Sequence, residues 1–171
     1  MKKFIVALLI GTALSVGSAS AQTTFNATLL GIFENPPNVS PASGFGTVVL
    51  NAAQNLITVD ENWTGLVAPA TASHIHGPAG LLANAPVLFG FSGVPAATTG
   101  AIPTQSFAIT PAQVTDLFNG LFYMNIHDSA FPGGEIRGQL IAVPEPSALA
   151  LLGLGAIGVT RAWSKKRASK A

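Results

Sequence analysis

Through the middle of the chain, apolar and polar residues alternate in short runs broken by Pro, Gly, Asn and Ser. From Thr23 to Leu30, Phe25, Ala27 and Leu29 fall on one face and Asn26 and Thr28 on the other, the period of two expected of a half-buried strand. Runs Phe45–Leu50 and Leu56–Trp63 follow, joined by the polar connection Asn51–Asn55, and Ile57, Val59 and Trp63 share a face with Glu61. Further runs cover Ala72–His76, Val87–Phe91, Ser106–Ile109, Leu121–His127 and Glu135–Ile141. This succession of short strands and turn signals predicts an all-β fold, a single antiparallel β-sandwich with an immunoglobulin-like or dismutase-like Greek key. One helical interruption is expected. Thr110 caps it, Pro111 takes the first helical position, Gln113 completes a capping box, and Val114, Leu117 and Phe118 form the stripe that packs on a core. Residues 92–105, rich in Gly, Pro, Ala and Thr, read as a loop.

The two ends follow other patterns. Met1-Lys2-Lys3 is positive, an apolar run spans Phe4 to Val16, and Ala19-Ser20-Ala21 supplies small residues before a cut between Ala21 and Gln22. Residues 1–21 therefore read as a signal peptide; the apolar run is shorter than the roughly 18 residues of a membrane span. At the other end Val143-Pro144-Glu145-Pro146 stops regular structure, since proline lacks the backbone donor and fixes φ. Ser147 then opens an apolar run to Thr160, followed by Trp163 and the basic residues Arg161, Lys165, Lys166, Arg167 and Lys170. A short hydrophobic transmembrane helix with its cations in the cytoplasm is expected, snorkelling of Arg161 extending the span. The chain divides into 1–21, a domain over 22–142, and a tail over 143–171.

The order of the tail's features, Pro144-Glu145-Pro146, apolar run, basic cluster, resembles a PEP-CTERM sorting signal. That resemblance implies a membrane protease of exosortase type that recognises the motif and removes the tail, after signal peptidase has acted at the other end. It also implies a Gram-negative-type envelope, with transient inner-membrane anchoring and a destination at the outer surface or in an exopolysaccharide matrix. A permanent anchor is the alternative.

With both ends set aside, 121 residues remain, enough for one domain with a core. They hold Glu34, Asp60, Glu61, Asp116, Asp128 and Glu135 against a single base, Arg137, a formal charge near −5 although the whole chain is +1. Electrostatic binding of nucleic-acid phosphates is excluded by that balance. There is no cysteine, so neither disulfides nor thiolate metal sites support this exported fold.

Several segments of the domain fall in a recognisable order: Phe25-Asn-Ala-Thr-Leu-Leu-Gly31, Glu34-Asn35-Pro36-Pro37, Ser43-Gly44, His74-Ile75-His76-Gly77-Pro78-Ala79-Gly80, Tyr123-Met-Asn-Ile-His127 and Gly134-Glu135-Ile136-Arg137-Gly138-Gln139-Leu140. In this order they resemble the CHRD domain, named from chordin and found also in bacterial exported proteins. The resemblance implies a fold and no particular activity. A more distant likeness is to copper/zinc superoxide dismutase, where His74, His76, His127 and Arg137 occupy comparable places in the order. The departures are large: the chain has no further histidine for a bridging ligand, a fourth copper ligand or a zinc site, and no cysteine for that family's disulfide.

The histidines make a candidate site without any family. Strand alternation puts His74 and His76 on one face, and Tyr123, Asn125 and His127 on one face of a later strand. If those strands pair, three imidazoles converge on one copper, zinc or nickel ion and leave a position open. Protons would then compete for the ion in the imidazole range near pH 6.5. The structural alternative is histidines that bond loop carbonyls and fix the following turn. Glu135 and Arg137 also share a strand face, which makes them a candidate ion pair or ligand-binding pair, with Glu34 as the other carboxylate Arg137 could meet. Glu34-Asn35-Pro36-Pro37 reads as a stiff exposed turn. Gly153-Leu-Gly155-Ala-Ile-Gly158 matches a dinucleotide-binding fingerprint by chance, because it lies in the apolar tail with no strand before it. The Asn-x-Thr/Ser triplets at Asn26, Asn38 and Asn62 mean little in a bacterial cell, and no serine sits in a nucleophile elbow. Two functional readings stand: a non-enzymatic exported module that binds matrix, polysaccharide or surface proteins, and a metal-binding, redox-type domain.

Overall fold

The computed structural model describes residues 21–144. The expected signal peptide, up to residue 20, and the tail from residue 145, with its expected helix and with Glu145 and Pro146, lie outside these residues. Ala21 and Gln22, the expected cleavage point, are exposed and precede the first strand.

The strands are β1 (Thr23–Leu30), β2 (Ser43–Leu50), β3 (Leu56–Thr64), β4 (Ala70–His76), β5 (Val87–Gly90), β6 (Gly100–Ala101), β7 (Gln105–Ala108), β8 (Tyr123–Asp128), β9 (Ile136–Gln139) and β10 (Ile141–Ala142). All pair antiparallel in one sheet of order β5-β4-β8-β9-β1-β2-β3-β6, with β7 also on β3 and β10 also on β1. The all-β antiparallel expectation holds, and its two packed layers come from one continuous sheet that curls over its own core. Side chains from distant strands close the curl. Ser73 of β4 bonds Glu61 of β3, and the Phe107 ring of β7 lies 5.2 Å from Phe89 of β5.

Inward positions follow the predicted alternation. Phe25, Ala27 and Leu29 of β1, Ile57, Val59 and Trp63 of β3, and Met124 and Ile126 of β8 are all buried, Trp63 at 2% exposure. The helix α1 (Pro111–Phe118) carries the expected capping box between Thr110 and Gln113 and buries Val114 and Leu117. Phe118 stays half-exposed, with one edge against Phe25 at a ring distance of 5.2 Å.

Two segments depart from the expectation. The last predicted strand, Glu135–Ile141, breaks at Leu140, whose N–H turns to the carbonyl of Phe122 while its side chain enters the core. β9 therefore pairs with β8 and meets β1 at Leu30, while β10 pairs with the opposite end of β1. Gly138 makes the crossing possible, because a Cβ there would overlap the Thr28 carbonyl. Within the expected loop 92–105, β6 adds to β3 beside Trp63, and the indole Nε1 donates to the Ala97 carbonyl at 3.1 Å. A polar handle on a buried aromatic thus organises a stretch whose composition reads as loop.

Glu61 is a carboxyl group in the core, 2% exposed. Its partner Ser73 has one hydroxyl proton, and Ser73 Oγ lies 3.0 Å from the Asn125 carbonyl, which can only accept. The same hydroxyl donates to Glu61. Burial pushes Glu61 up to about 8, against a smaller lowering by Ser73. An acid whose pKa is raised on folding leaves the folded state holding the extra proton between the two values. Stability from this group is full below 4.5 and is lost as pH rises to about 8. Glu61→Gln keeps a donor and removes the ionisation. Its melting temperature should fall less than wild type's from about pH 6 to about pH 9. Parallel declines would show that Glu61 is not the acid that titrates.

Candidate metal centre

β4 and β8 pair with His74 opposite Asn125, His76 opposite Tyr123, and Ala72 opposite His127. The register places all three histidines on the face turned away from Ile75, Met124 and Ile126, as alternation requires. One ring nitrogen from each lies within 4.8 Å of the others. Ring centroids are 5.0 Å apart for His74–His127, 5.4 Å for His74–His76 and 6.2 Å for His76–His127. Ligand nitrogens on a tetrahedral ion stand about 3.3 Å apart, so ring rotations would still have to draw this set inward.

Hydrogen bonds decide which nitrogens are free. His76 Nδ1 faces the Ala85 carbonyl at 2.8 Å and His127 Nδ1 faces the Pro132 carbonyl at 2.9 Å. A carbonyl only accepts, so His76 Nδ1 is protonated and its Nε2 carries the lone pair, while His127 faces an acceptor oxygen at each ring nitrogen. This is the outer-shell arrangement that orients an imidazole for a metal. His76 Nε2 and His74 Nδ1 are buried with no hydrogen-bond partner. His127 Nε2 meets the Asn125 side-chain oxygen Oδ1 at 3.1 Å. Burial holds all three imidazoles below the ordinary histidine range, His74 at about 4; repulsion from neighbouring rings adds to it at His74 and His127, and the charge of Arg137 at His76. The cluster is neutral at physiological pH, the form that ligates. Proton competition consequently sets in below the 6.5 of an unperturbed imidazole.

Beside the histidines runs a stack. The Arg137 guanidinium carbon sits 3.4 Å from the Tyr123 ring centroid, and on Tyr123 the His76 ring lies at 4.9 Å and 3°. Arg137 is 2% exposed. It donates to the carbonyls of Gly80 and Ala83 and to Asn84 Oδ1 at 3.3, 2.9 and 3.2 Å. Gln139 adds a bond to the Ala79 carbonyl at 2.8 Å. The loop between β4 and β5 is thus strapped over the sheet, and that loop supplies the Ala85 carbonyl that fixes His76.

The expected pair of Glu135 with Arg137 is not formed. Glu135 accepts from the Val67 N–H at 2.9 Å and from Ser40, and shares a hydrogen bond with Asp128. Asp128 takes the N–H groups of Ala68 and Phe131 at 2.8 and 2.6 Å. Burial, and then Asp128, raise Glu135; Asp128, although burial opposes it, is held low by the Glu135 carboxyl and those amides. The two carboxyls hold the loops at Ser40, Val67 and Phe131, with Asp128 in place of Arg137 as the neighbour of Glu135. Strand alternation failed there because Glu135 precedes β9 and does not follow its pleat. Ser40 and Asp128 gave no sequence signal of their own.

Glu34 corrects a second expectation. Its prolines Pro36 and Pro37 are exposed, but its carboxyl is 4% exposed and Oε1 has no partner. It lies beside Gly134, where φ is +130° and a Cβ would strike both Glu34 and Asn125. Burial raises Glu34 to about 7, while the charge of Arg137 and hydrogen bonds from Asn35 and Asn125 pull it down. Of the charged residues between 22 and 142, only Asp60 and Asp116 reach solvent. The formal charge near −5 is therefore held mostly inside the domain.

An antiparallel β-domain with a histidine face, followed by a Pro-Glu-Pro tail, defines a class of exported, sorted proteins. Residues 25–140 match the CHRD domain and residues 142–167 the PEP-CTERM protein-sorting motif. The chain belongs to the CHRD domain family. No match is found among curated proteins or solved structures, so the dismutase likeness rests on the order of residues alone. The sorting motif implies export, a transiently membrane-anchored C-terminus and processing by an exosortase-type system. Among the described residues no helix is long and apolar enough to cross a membrane.

The strap makes a demanding prediction. Lysine keeps the charge of Arg137 but loses the planar fork and the stack on Tyr123. Arg137→Lys should lower urea-unfolding stability by about 2 kcal/mol, since loop carbonyls would lose charge-assisted bonds. An unchanged midpoint would mean that the loop is held by other contacts.

Proposed function

We propose that this protein is an exported surface module that holds one transition-metal ion, copper or zinc, at His74, His76 and His127. The observation that carries the reading is the set of free ring nitrogens. Two imidazoles are oriented by backbone carbonyls, which leaves His76 with an available Nε2, and two buried ring nitrogens, His76 Nε2 and His74 Nδ1, have no partner. The residues fit such an ion in donor type and in protonation state. When bound, the ion would supply a Lewis-acidic centre with a position open to a surface ligand. The protein's own groups orient the rings and exclude protons from them. The module reading and the metal reading thereby become one: the ion is a means of binding, and no catalytic step is assigned.

Purified domain should take up about one copper or zinc ion per chain and melt higher for it, by about 2.7 kcal/mol of stabilisation at a hundredfold excess over Kd. Because burial lowers the imidazole pKa values, uptake should persist below pH 6.5 and fail as pH approaches the value near 4 of His74. His76→Ala and His127→Ala should each abolish most of the gain. Superimposable melts of wild type with copper, zinc and chelator would refute the metal.

Sorting supplies a second measurement. Cleavage near Pro144-Glu145-Pro146 would leave the domain intact, since β10 ends at Ala142. Replacing the three residues with alanine should leave the chain longer and in the membrane fraction, read by intact mass after fractionation. Equal mass and location for variant and wild type would make the tail a permanent anchor.

A further inference from the structure

Away from the histidines, a groove of about 590 Å³ opens on the outer surface, lined by Phe33, Leu81 and Ile141 together with the neutral groups of Asn26, Thr28 and Gln139. None of its lining residues is charged. Apolar side chains project around it: Leu81 is 71% and Leu82 68% exposed, and Ile32 and Ile141 are exposed as well. Leu82 has φ +64°, a left-handed conformation that a leucine rarely adopts, so the two leucines are presented on a strained loop tip. Contiguous apolar surface rimmed by polar groups marks a contact surface.

The tail indicates what covers it. Ile141 lines the groove, and the Val143 N–H, bonded to the Thr24 carbonyl at 2.8 Å, makes the last backbone hydrogen bond among the described residues. The apolar run of the sorting signal begins at Ala148, five residues on. At no more than about 3.6 Å per residue, that tether spans less than about 18 Å. A domain held so close to a bilayer turns one face to it, and the strand that leads into the tether carries part of the groove. Charge agrees with this placement, because carboxylates facing anionic headgroups would be repelled and this face presents none. Asp116, the acid nearest in sequence to the lining residues Asn119 and Gly120, is half-buried.

We propose that the Phe33–Leu81–Ile141 groove and the Leu81-Leu82 tip rest on the membrane surface while the sorting tail is attached, and are released from it when the tail is removed. The orientation would turn one side of the domain to lipid and present the Pro144-Glu145-Pro146 segment beside it, at the level where a membrane-embedded protease can reach it.

The chain has no cysteine, so a single introduced cysteine can be labelled uniquely. Full-length protein is reconstituted into phosphatidylethanolamine–phosphatidylglycerol vesicles with an environment-sensitive fluorophore at Leu81→Cys or Ile32→Cys. Ser106→Cys serves as the control: it is exposed on β7, three strands from β1 in the sheet order. The Leu81 and Ile32 probes should lose quenching by aqueous iodide and gain quenching by spin-labelled lipid, while the Ser106 probe does neither. Leu82→Ser should restore iodide quenching at the Leu81→Cys probe. Equal iodide quenching at all sites overturns the proposal, as does a chain that fails to float with the vesicles. Protection that disappears on dilution with lipid would assign the groove to a second copy of the chain, and would overturn it too.

Discussion

Arg137 is the constraint on which the histidine face depends. A guanidinium removed from water is costly unless its charge and its donors are answered locally. Here the answer comes from a loop: two backbone carbonyls and the Asn84 side chain, with the Tyr123 ring beneath. The loop cannot leave without exposing that charge to an unpaired environment, and the cation cannot be removed without orphaning the carbonyls. Burial lowers the Arg137 pKa, while Tyr123 and Glu34 act the other way. Since Tyr123 is stacked in turn on His76, and the same loop supplies the acceptor for His76 Nδ1, one buried cation sets both the position and the tautomer of an imidazole.

The same environment explains why acids and histidines shift in opposite directions. Burial penalises whichever form is charged, so it raises Glu34, Glu61 and Glu135 and lowers His74, His76 and His127. The outcome is a domain whose histidines and three of whose glutamates are shifted toward their uncharged forms, while Asp60 and Asp116 alone of its acids reach solvent. A cation arriving at the imidazoles would feel Arg137 as repulsive and Glu34 as attractive. Because Glu34 sits near neutrality, its ionisation is the adjustable part of that balance.

Much of this was legible in the sequence, because a period of two is a direct record of which side faces the core. Ile57, Val59 and Trp63, and the grouping of Tyr123, Asn125 and His127, come from alternation alone, and the helix from its capping residues. Convergence of His74, His76 and His127 needed one further fact, the pairing of β4 with β8. What stayed hidden has a common cause. Glu61 fell by alternation on the face of Ile57, Val59 and Trp63, but Glu34 read as part of an exposed turn and nothing marked Asp128 or Glu135 as buried; these three lie at strand ends and loops, where short-range alternation carries no information. Arg137 was singled out correctly as the sole cation; its partners are carbonyls, which every residue has and no sequence pattern marks.

Histidines kept only to fix turns would look different. Such a role needs one ring nitrogen bonded to a carbonyl and leaves the other to water or a donor. His127 fits a structural role, since both of its ring nitrogens are answered, by the Pro132 carbonyl and by Asn125 Oδ1. His76 does not, since its Nε2 is buried and unpartnered, and His74 offers a buried Nδ1 with no partner either. Each such atom costs about 1–3 kcal/mol if nothing meets it. A turn could be fixed at His76 with the Nδ1 bond alone, and His74 fixes none. One ring nitrogen from each of the three histidines lies within 4.8 Å of the others, and it is that proximity, more than the count of histidines, that distinguishes a ligand set from three separate structural residues.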